Sequence, residues 1–594
     1  MGSLSEMHRP LTLVIAGAAA LLSLSLLAPR AARAQQTAAE RLILAPEPAT
    51  TFRVQAVYPN TGVTCDAKRI KDLRARYRGR LEIVRQSNGS LALIDHLTFD
   101  EYLSGLAEMP RSWPIEALKA QVVAARTYAI AQLEHPGTNA KALGFDICST
   151  DQCQVYRGLS VEQGAFGEAW VRAVTETRGS VLRYHGETIH AYYFSTSSGR
   201  TRRSFPGGTP QPYLSSVPGQ DDDSPLAHWT ARFPLADLGP ILQSAGDWPG
   251  GAVSSVGSSG DKVSVSGSGH SVTLSRSGFM IDLNNEAPCV YPDRYPGKDG
   301  NYKLPQTVPS PEFTVATSGA EIALSGRGWG HDVGMSQYGA RSLAARGRTH
   351  AEILAYYYAG LRPETTSEPG TIRVLVADNA ALIRIGVEGS ATVTTSTGSA
   401  LAPGADFEVR GGKSLDVRRG VGPSLTPVLT VALDSSSPIT VPQGGSFALT
   451  YALSGAARVS LTVRKDGNEV FHTPEFSQVA GPNLFSLSFD PSTSPLPSSS
   501  ASASPGATVP AIAVAPTPLT ASTYDVTLEA YDGLDRVRTT PVALTLVSGG
   551  GSPTASPSGG GVPVWAIVAA GGAVLGSAAV LITRRRSRRP LKAS

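Results

Sequence analysis

The chain has 594 residues, 41% of them hydrophobic and 17% charged, with 61 glycines and 43 prolines; this length allows several domains, and this composition buries cores between many turns and linkers. Its net charge of +4 is concentrated at the ends. Setting aside the net two positive charges before Gln35 and the six basic residues after Thr583 leaves about −4, which excludes a polybasic nucleic-acid footprint.

Met1 to Ala34 carries Arg9, an apolar run from Leu11 to Leu27 and the small-residue pattern Ala32-Arg33-Ala34, which predicts a signal peptide ending at residue 34. In an exported chain the four cysteines point to disulfides. Cys148 and Cys153 are close enough to pair, leaving Cys65 and Cys289 as the other candidate bridge. Residues 38 to 97 read as short strands, with a hairpin in which Leu81–Val84 and Leu91–Ile94 flank Asn88-Gly89. Thr98 and Glu101 then form a capping box, followed by a short helix with Tyr102, Leu103 and Leu106 on one face, ended by Pro110. A second helix is expected from Ser112, with Pro114 in its first turn and Ile115, Leu118, Val122, Ala125 and Ala129 at helical spacing. Lys119, Gln121 and Arg126 fall on its polar side, where Lys119 and Arg126 are expected to be solvated.

Between these helices lies an isolated carboxylate, Glu108. At the carbonyl end of a helix it would feel the negative end of the dipole, which raises a carboxyl pKa and suits a general acid. Spacing alone favours the plainer reading, a solvated loop residue.

Beyond a loop and the segment Gly144 to Gly158, a helical pattern runs through Val171 and Val174, and Gly179 to Ser198 alternates like two strands around His185-Gly186. The loop Ser195 to Gly199 exposes hydroxyls and amides that could bind sugars or peptides, or simply turn the chain. Residues 205 to 310 hold the acidic run Asp221 to Asp223 and Gly/Ser-rich strands from Ala252 to Leu274, with no readable chemistry. A strand at Ile322–Leu324 then enters GRGWGHDVGMSQYGA, residues 326 to 340, where glycines allow close approach of a ligand ahead of a helix amino end. His331 and Gln337 would face that space, although a histidine stabilising the loop fits equally well. Thr349 and Glu352 cap a further helix whose Ile353, Leu354, Tyr357 and Tyr358 form a packing stripe.

From Thr371 the pattern is β: a small β domain over 371–435, then an immunoglobulin-like sandwich over 438–547, interrupted by a Ser/Pro/Ala stretch at 491–522 too poor in large apolar residues to fold. A linker at 548–561 leads to an apolar span at 562–583, long enough to cross a bilayer, and to a basic tail at 584–594. The basic tail predicts a single-pass membrane protein with the rest of the chain outside.

Six blocks in order carry a resemblance: EYLSGLAEMPRSWPIEALKAQVVAARTYA (101–129), DICSTDQCQVYRG (146–158), AYYFSTSSGRT (191–201), PYLSSV (212–217), GRGWGHDVGMSQYGA (326–340) and ILAYYYAGL (353–361). Together they resemble the SpoIID/LytB family, peptidoglycan lytic transglycosylases of the stage II sporulation protein D type. The match covers roughly residues 75–361, so the fold implied is an α+β SpoIID-like catalytic domain over 38–361, with an insertion at 205–310, followed by all-β domains and a transmembrane helix.

The resemblance assigns Glu108, in the E-M-P element, as catalytic acid and base. The implied reaction cleaves peptide-free glycan strands between N-acetylmuramic acid and N-acetylglucosamine without water, closing a 1,6-anhydro ring through the muramic acid's own primary hydroxyl. One carboxylate can serve both steps because the nucleophile belongs to the substrate. Tyr193, Ser197, Ser198, Gly199, Arg200, His331, Gln337 and Tyr338 are implied substrate contacts. The family also supplies an alternative, a non-catalytic enhancer of a partner cell-wall amidase; a purely structural surface stalk would leave the six blocks unexplained. Two departures stand out. Asp332 replaces the second glycine of the family's G-H-G-V-G-M-S-Q loop, and Gln152 precedes Cys153 where some relatives place histidine beside zinc-binding cysteines, so a disulfide is preferred to zinc and no cofactor is expected.

Overall fold

The computed structural model describes residues 40–58, 73–295, 304–305, 307–395, 400–401, 406–423, 429–433, 438–443, 445–488, 511–514 and 519–548. The expected signal peptide, the apolar span 562–583, the basic tail and Cys65 lie outside them. Among the described residues no helix is long and apolar enough to cross a membrane.

The Asn88-Gly89 hairpin forms as expected. Gly89 takes φ +84°, and strands Arg80–Arg85 and Leu91–Leu97 pair antiparallel across it. They lie inside a seven-stranded sheet in the order Ala400–Leu401, Ala391–Thr395, Arg41–Pro46, Arg80–Arg85, Leu91–Leu97, Ile372–Ala380, Ile147–Cys148. A five-stranded sheet runs Asp416–Arg419, Phe407–Arg410, Leu382–Glu388, Thr51–Val57, Leu73–Tyr77. The two share one core, in which Leu44, Phe52, Leu93, Ile372 and Ile385 are fully buried. The small β domain expected at 371–435 is therefore not a separate body. Its strands alternate with those of residues 41–97, and neither set could bury its apolar face alone.

The second expected helix is Ile115–Glu134, with Pro114 at its N-cap. Leu118, Val122, Ala125 and Ala129 face the sheet core as the spacing predicts. A second apolar face, Ala120, Val123 and Ala124, packs into another cluster with Ala340, Ile353 and Tyr357 from the helices Gln337–Ala345 and His350–Tyr357 and with Val333 and Met335 just before them. Small alanines let elements approach it from both sides, so it is central and not amphipathic. Arg126 is correspondingly fully buried, 2.5 Å from Glu368, where solvation had been expected. Lys119 ion-pairs with Glu116 and Glu176 at 2.9 and 2.7 Å.

Residues 226–326 build their own core around Phe233, Leu238, Phe279 and Leu324. Strands were expected there and form at Ser255–Ser259, Lys262–Gly267 and His270–Ser275, but the helices Leu235–Ala245 and Arg276–Val290 were not expected. Beyond Leu429, two sheets enclose a common core of Tyr451, Leu461, Phe485 and Leu528, a β-sandwich. Within the stretch expected to be unfolded, Ala511–Val514 forms a strand parallel to Gly481–Ser488. The sandwich packs on the first core: Arg458 donates to the carbonyl of Gly164, and Arg76 to Tyr531.

Candidate active site

The helix opened by the Thr98–Glu101 capping box spans Phe99–Ser104 and ends at Gly105, well before Pro110. A Cβ on Gly105 would lie 2.3 Å from the Tyr156 ring, so the chain turns there and runs extended alongside residues 155–157. Leu106 bridges Tyr156, Ala107 N–H donates to the Val155 carbonyl at 2.8 Å, and Arg157 N–H to the Gly105 carbonyl at 2.8 Å. Glu108 comes next, three residues past the helix cap.

The Val155 N–H donates to Glu108 Oε1 at 2.6 Å, and the Tyr193 hydroxyl hydrogen-bonds the same carboxyl. Burial pushes the Glu108 pKa up to about 7; these two donors oppose the rise, and Asp151 adds a smaller repulsion in its favour. The direction expected from sequence is found, but desolvation causes it and not a helix dipole.

Three elements converge here. The loop that follows the edge strand Ile147–Cys148 is closed by a Cys148–Cys153 disulfide, with Cα atoms 5.5 Å apart, and delivers Gln154 and Val155. The strand Tyr193–Phe194 pairs parallel to Met335–Ser336 and delivers Tyr193. The helix Gln337–Ala345 delivers Gln337, whose Nε2 donates to the Glu108 backbone carbonyl at 3.0 Å and to Gln121 Oε1 at 3.3 Å. Tyr338 stacks edge-on against Trp113 at 4.8 Å, and the Arg341 guanidinium lies over both rings. Trp113 and Gln154 were not singled out from sequence, although both lie inside the matched blocks.

The remaining candidates lie in a different arrangement. Ser197 donates through its backbone N–H and its hydroxyl to Asp221, at 2.6 and 2.9 Å; Asp221 also accepts from Ser336 Oγ at 2.5 Å. Ser198 does the same to Asp332, at 2.9 and 2.6 Å. Gly199 N–H donates to Ser197 Oγ at 3.1 Å, and Arg200 to the Ser216 carbonyl at 2.8 Å. These groups close the Ser-rich loop onto the glycine-rich loop, and their hydrogen bonds stay within the protein. Gly334 marks how tight the seam is: at φ +86°, a Cβ there would lie 1.9 Å from the Tyr192 carbonyl oxygen. Asp332 takes φ +63°, the left-handed conformation a glycine would adopt, and is held there by Ser198 and Arg202. His331 packs against Phe194 and Phe205 and accepts from its own loop at Val333 N–H, while burial lowers its pKa to about 4. Asp146 is paired with Arg373. None of Asp146, Asp221 and Asp332 hydrogen-bonds Glu108 among the described residues.

A family model described as stage II sporulation protein matches residues 87–184. Stage II sporulation protein D of Bacillus subtilis (strain 168) is 31% identical over 302 residues, covering 47% of this chain and 77% of that protein. The chain belongs to the SpoIID/LytB family. The amidase enhancer of Bacillus subtilis (strain 168) is 30% identical over 291 residues, 43% of this chain and 38% of that protein. An uncharacterised protein of Brachyspira hyodysenteriae is 32% identical over 285 residues, 46% of this chain and 68% of the relative. The SpoIID match at 87–184 spans Glu108, Trp113 and the disulfide loop. Among the described residues no group of three His, Cys, Asp or Glu side chains could hold a metal ion, and in this SpoIID/LytB member Cys148 and Cys153 are joined to each other.

Proposed function

We propose that this chain is a peptidoglycan lytic transglycosylase acting in remodelling of the bacterial cell wall. Family membership supports the cell-wall role; the observation that carries the reaction is Glu108, a carboxyl raised by burial to about 7 and held by the Val155 N–H and the Tyr193 hydroxyl. Ordinary glycosidases need two carboxyl groups, one of them to activate water or attack the sugar. A carboxyl that titrates near neutral pH can give a proton and take one back, which suits a reaction in which the substrate supplies its own nucleophile. Glu108 protonates the bridging oxygen, the C1–O bond to the departing sugar breaks, and the carboxylate then takes the proton of the C6 hydroxyl as O6 closes onto C1. The proton count on the enzyme is restored and no water enters. Trp113 and Tyr338 offer an aromatic wall for a sugar ring, held by Arg341, which lies over both rings and pairs with Asp223 at 3.0 Å. The reading includes an exported chain held at a membrane by residues 562–583.

The second reading, an enhancer that binds glycan for a separate amidase, draws on the relative named amidase enhancer. Incubating the purified chain and its Glu108→Gln variant with peptide-free glycan strands separates them. Anhydro-muramic ends from the wild type alone support the enzyme; equal cleavage by both, or none by either, sinks it.

A further inference from the structure

Gln154 is fully buried and lies next to Val155, whose N–H donates to Glu108; its own side chain reaches Glu108 through the Tyr193 hydroxyl. Its Nε2 lies 3.2 Å from the Ala125 backbone carbonyl. A carbonyl can only accept, so the nitrogen and not the oxygen of this amide must face it. The other contacts then have fixed directions. The second N–H donates to the Tyr193 hydroxyl at 2.9 Å, and Oε1 accepts the Tyr102 hydroxyl at 2.6 Å. With its oxygen accepting from Gln154, Tyr193 has one proton to give, and Glu108 is the group it hydrogen-bonds. Burial holds the Tyr193 phenol well above its ordinary pKa, so that proton is not lost at neutral pH.

We propose that Gln154 is the positioning residue of this site, an amide that fixes the direction of the Tyr193 hydroxyl so that its proton is always presented to Glu108. The catalytic consequence rests on the transglycosylase reading; the hydrogen-bond direction does not. When Glu108 gives its proton to the bridging oxygen, the new carboxylate meets a donor already aimed at it, alongside the Val155 N–H, and no group has to reorient. When Glu108 recovers a proton from the C6 hydroxyl, the same two donors remain in place.

The groups facing Glu108 are few among the described residues. Tyr102 and Tyr128 are phenols on the helices Phe99–Ser104 and Ile115–Glu134, Asp151 is on the disulfide loop, and the neutral Gln337 is on Gln337–Ala345. The effect of Asp151 on Glu108 is smaller than that of the Tyr193 hydroxyl, so a change in how Tyr193 donates is readable in the titration of Glu108.

The test is a carbon-13 carboxyl NMR titration of the full chain, with the Glu108 signal assigned by its loss in Glu108→Gln. Tyr193→Phe removes the donor and is expected to raise the Glu108 midpoint by about one pH unit. Gln154→Leu removes both hydrogen bonds without adding a charge; it frees the Tyr193 proton to turn away from Glu108 and is expected to raise the midpoint, by no more than Tyr193→Phe does. Gln154→Met keeps the volume without either hydrogen bond, and the pair Gln154→Met with Tyr193→Phe should move the midpoint no further than Tyr193→Phe alone. Midpoints unmoved in both Gln154 variants, or Gln154→Met and Tyr193→Phe shifts that simply add, would overturn the assignment and reduce Gln154 to a packing amide. Because the titration uses no substrate, a chain that cleaves no glycan removes the transglycosylase reading while leaving this result to stand or fall by itself.

Discussion

Two seams of this molecule carry buried carboxylates, and they use them in opposite ways. At the Ser-rich and glycine-rich loops, Asp221 and Asp332 each accept a backbone N–H and a hydroxyl from a neighbouring serine, and Ser336 or Arg202 completes each cluster. At Glu108 the donors are also two, from the disulfide loop and from the strand Tyr193–Phe194, and burial still raises the pKa to about 7. The difference separates a carboxylate used as a clasp from one left able to exchange its proton. The Ser-rich loop, expected to contact substrate, directs its Ser197 and Ser198 hydroxyls at these two carboxylates.

The largest effect expected from breaking this contrast is on turnover. Glu108→Gln removes the exchangeable proton while keeping the Val155 N–H satisfied, so glycan cleavage should fall by about 10²–10⁴-fold with the fold intact, read by anhydro-muramic ends and circular dichroism. A variant that keeps more than a tenth of wild-type cleavage would end the claim that Glu108 is the acid.

The opposite pattern is expected of Asp221→Ala. It strands the Ser197 N–H and the Ser197 hydroxyl in a buried place and leaves the Ser336 hydroxyl only the Ser195 carbonyl, and should cost about 3 kcal/mol of stability in denaturant unfolding. Cleavage per folded molecule should stay within a fewfold of wild type. Loss of cleavage without loss of stability would move Asp221 from the clasp to the chemistry.

The pH dependence sharpens the contrast further. Glu108 titrates near 7 in the folded chain against about 4.5 when exposed, so the folded state holds this proton more tightly and gains stability from it below pH 4.5. That gain is lost as pH rises through about 7. Glu108→Gln cannot ionise, so it should be more stable than wild type at pH 8, by on the order of 1 kcal/mol once the part of the carboxyl that reaches solvent is discounted, and equal to it near pH 4. Wild-type cleavage, which needs the protonated form, should decline over the same rise above pH 7.

How much of this was legible in the sequence varies by physical cause. Local signals were readable: the Asn88-Gly89 turn, both capping boxes and the apolar stripe of Ile115–Glu134 all appear where spacing puts them. Pairings between distant segments were not. Nothing local tells Ile372–Ala380 to lie beside Leu91–Leu97, so one interleaved body read as two domains. The helices Leu235–Ala245 and Arg276–Val290 carry Pro240 and Pro288, which break the helical pattern, and the tertiary core overrides them. At the site, Tyr193 and Gln337 hydrogen-bond Glu108 and Tyr338 packs on Trp113, whereas the partners of Ser197 and Ser198 depended on which carboxylates fold against them. Gln154 gave no signal of its own, because a buried amide is defined by its partners.

The smallest effect expected is at the departure from the family loop. Asp332 sits at φ +63°, which costs a side-chain-bearing residue on the order of 1 kcal/mol and costs glycine nothing. Its carboxylate offsets that strain by accepting from Ser198 and pairing with Arg202, at the further cost of being buried. Asp332→Gly should therefore exchange one set of terms for the other and change stability by less than about 1 kcal/mol, with cleavage unaltered. Asp332→Ala keeps the strain and loses the contacts, so it should be the worse of the two by about 1–2 kcal/mol. If glycine and alanine destabilise equally, the backbone at 332 is indifferent to the residue it carries, and the carboxylate alone holds the two loops together.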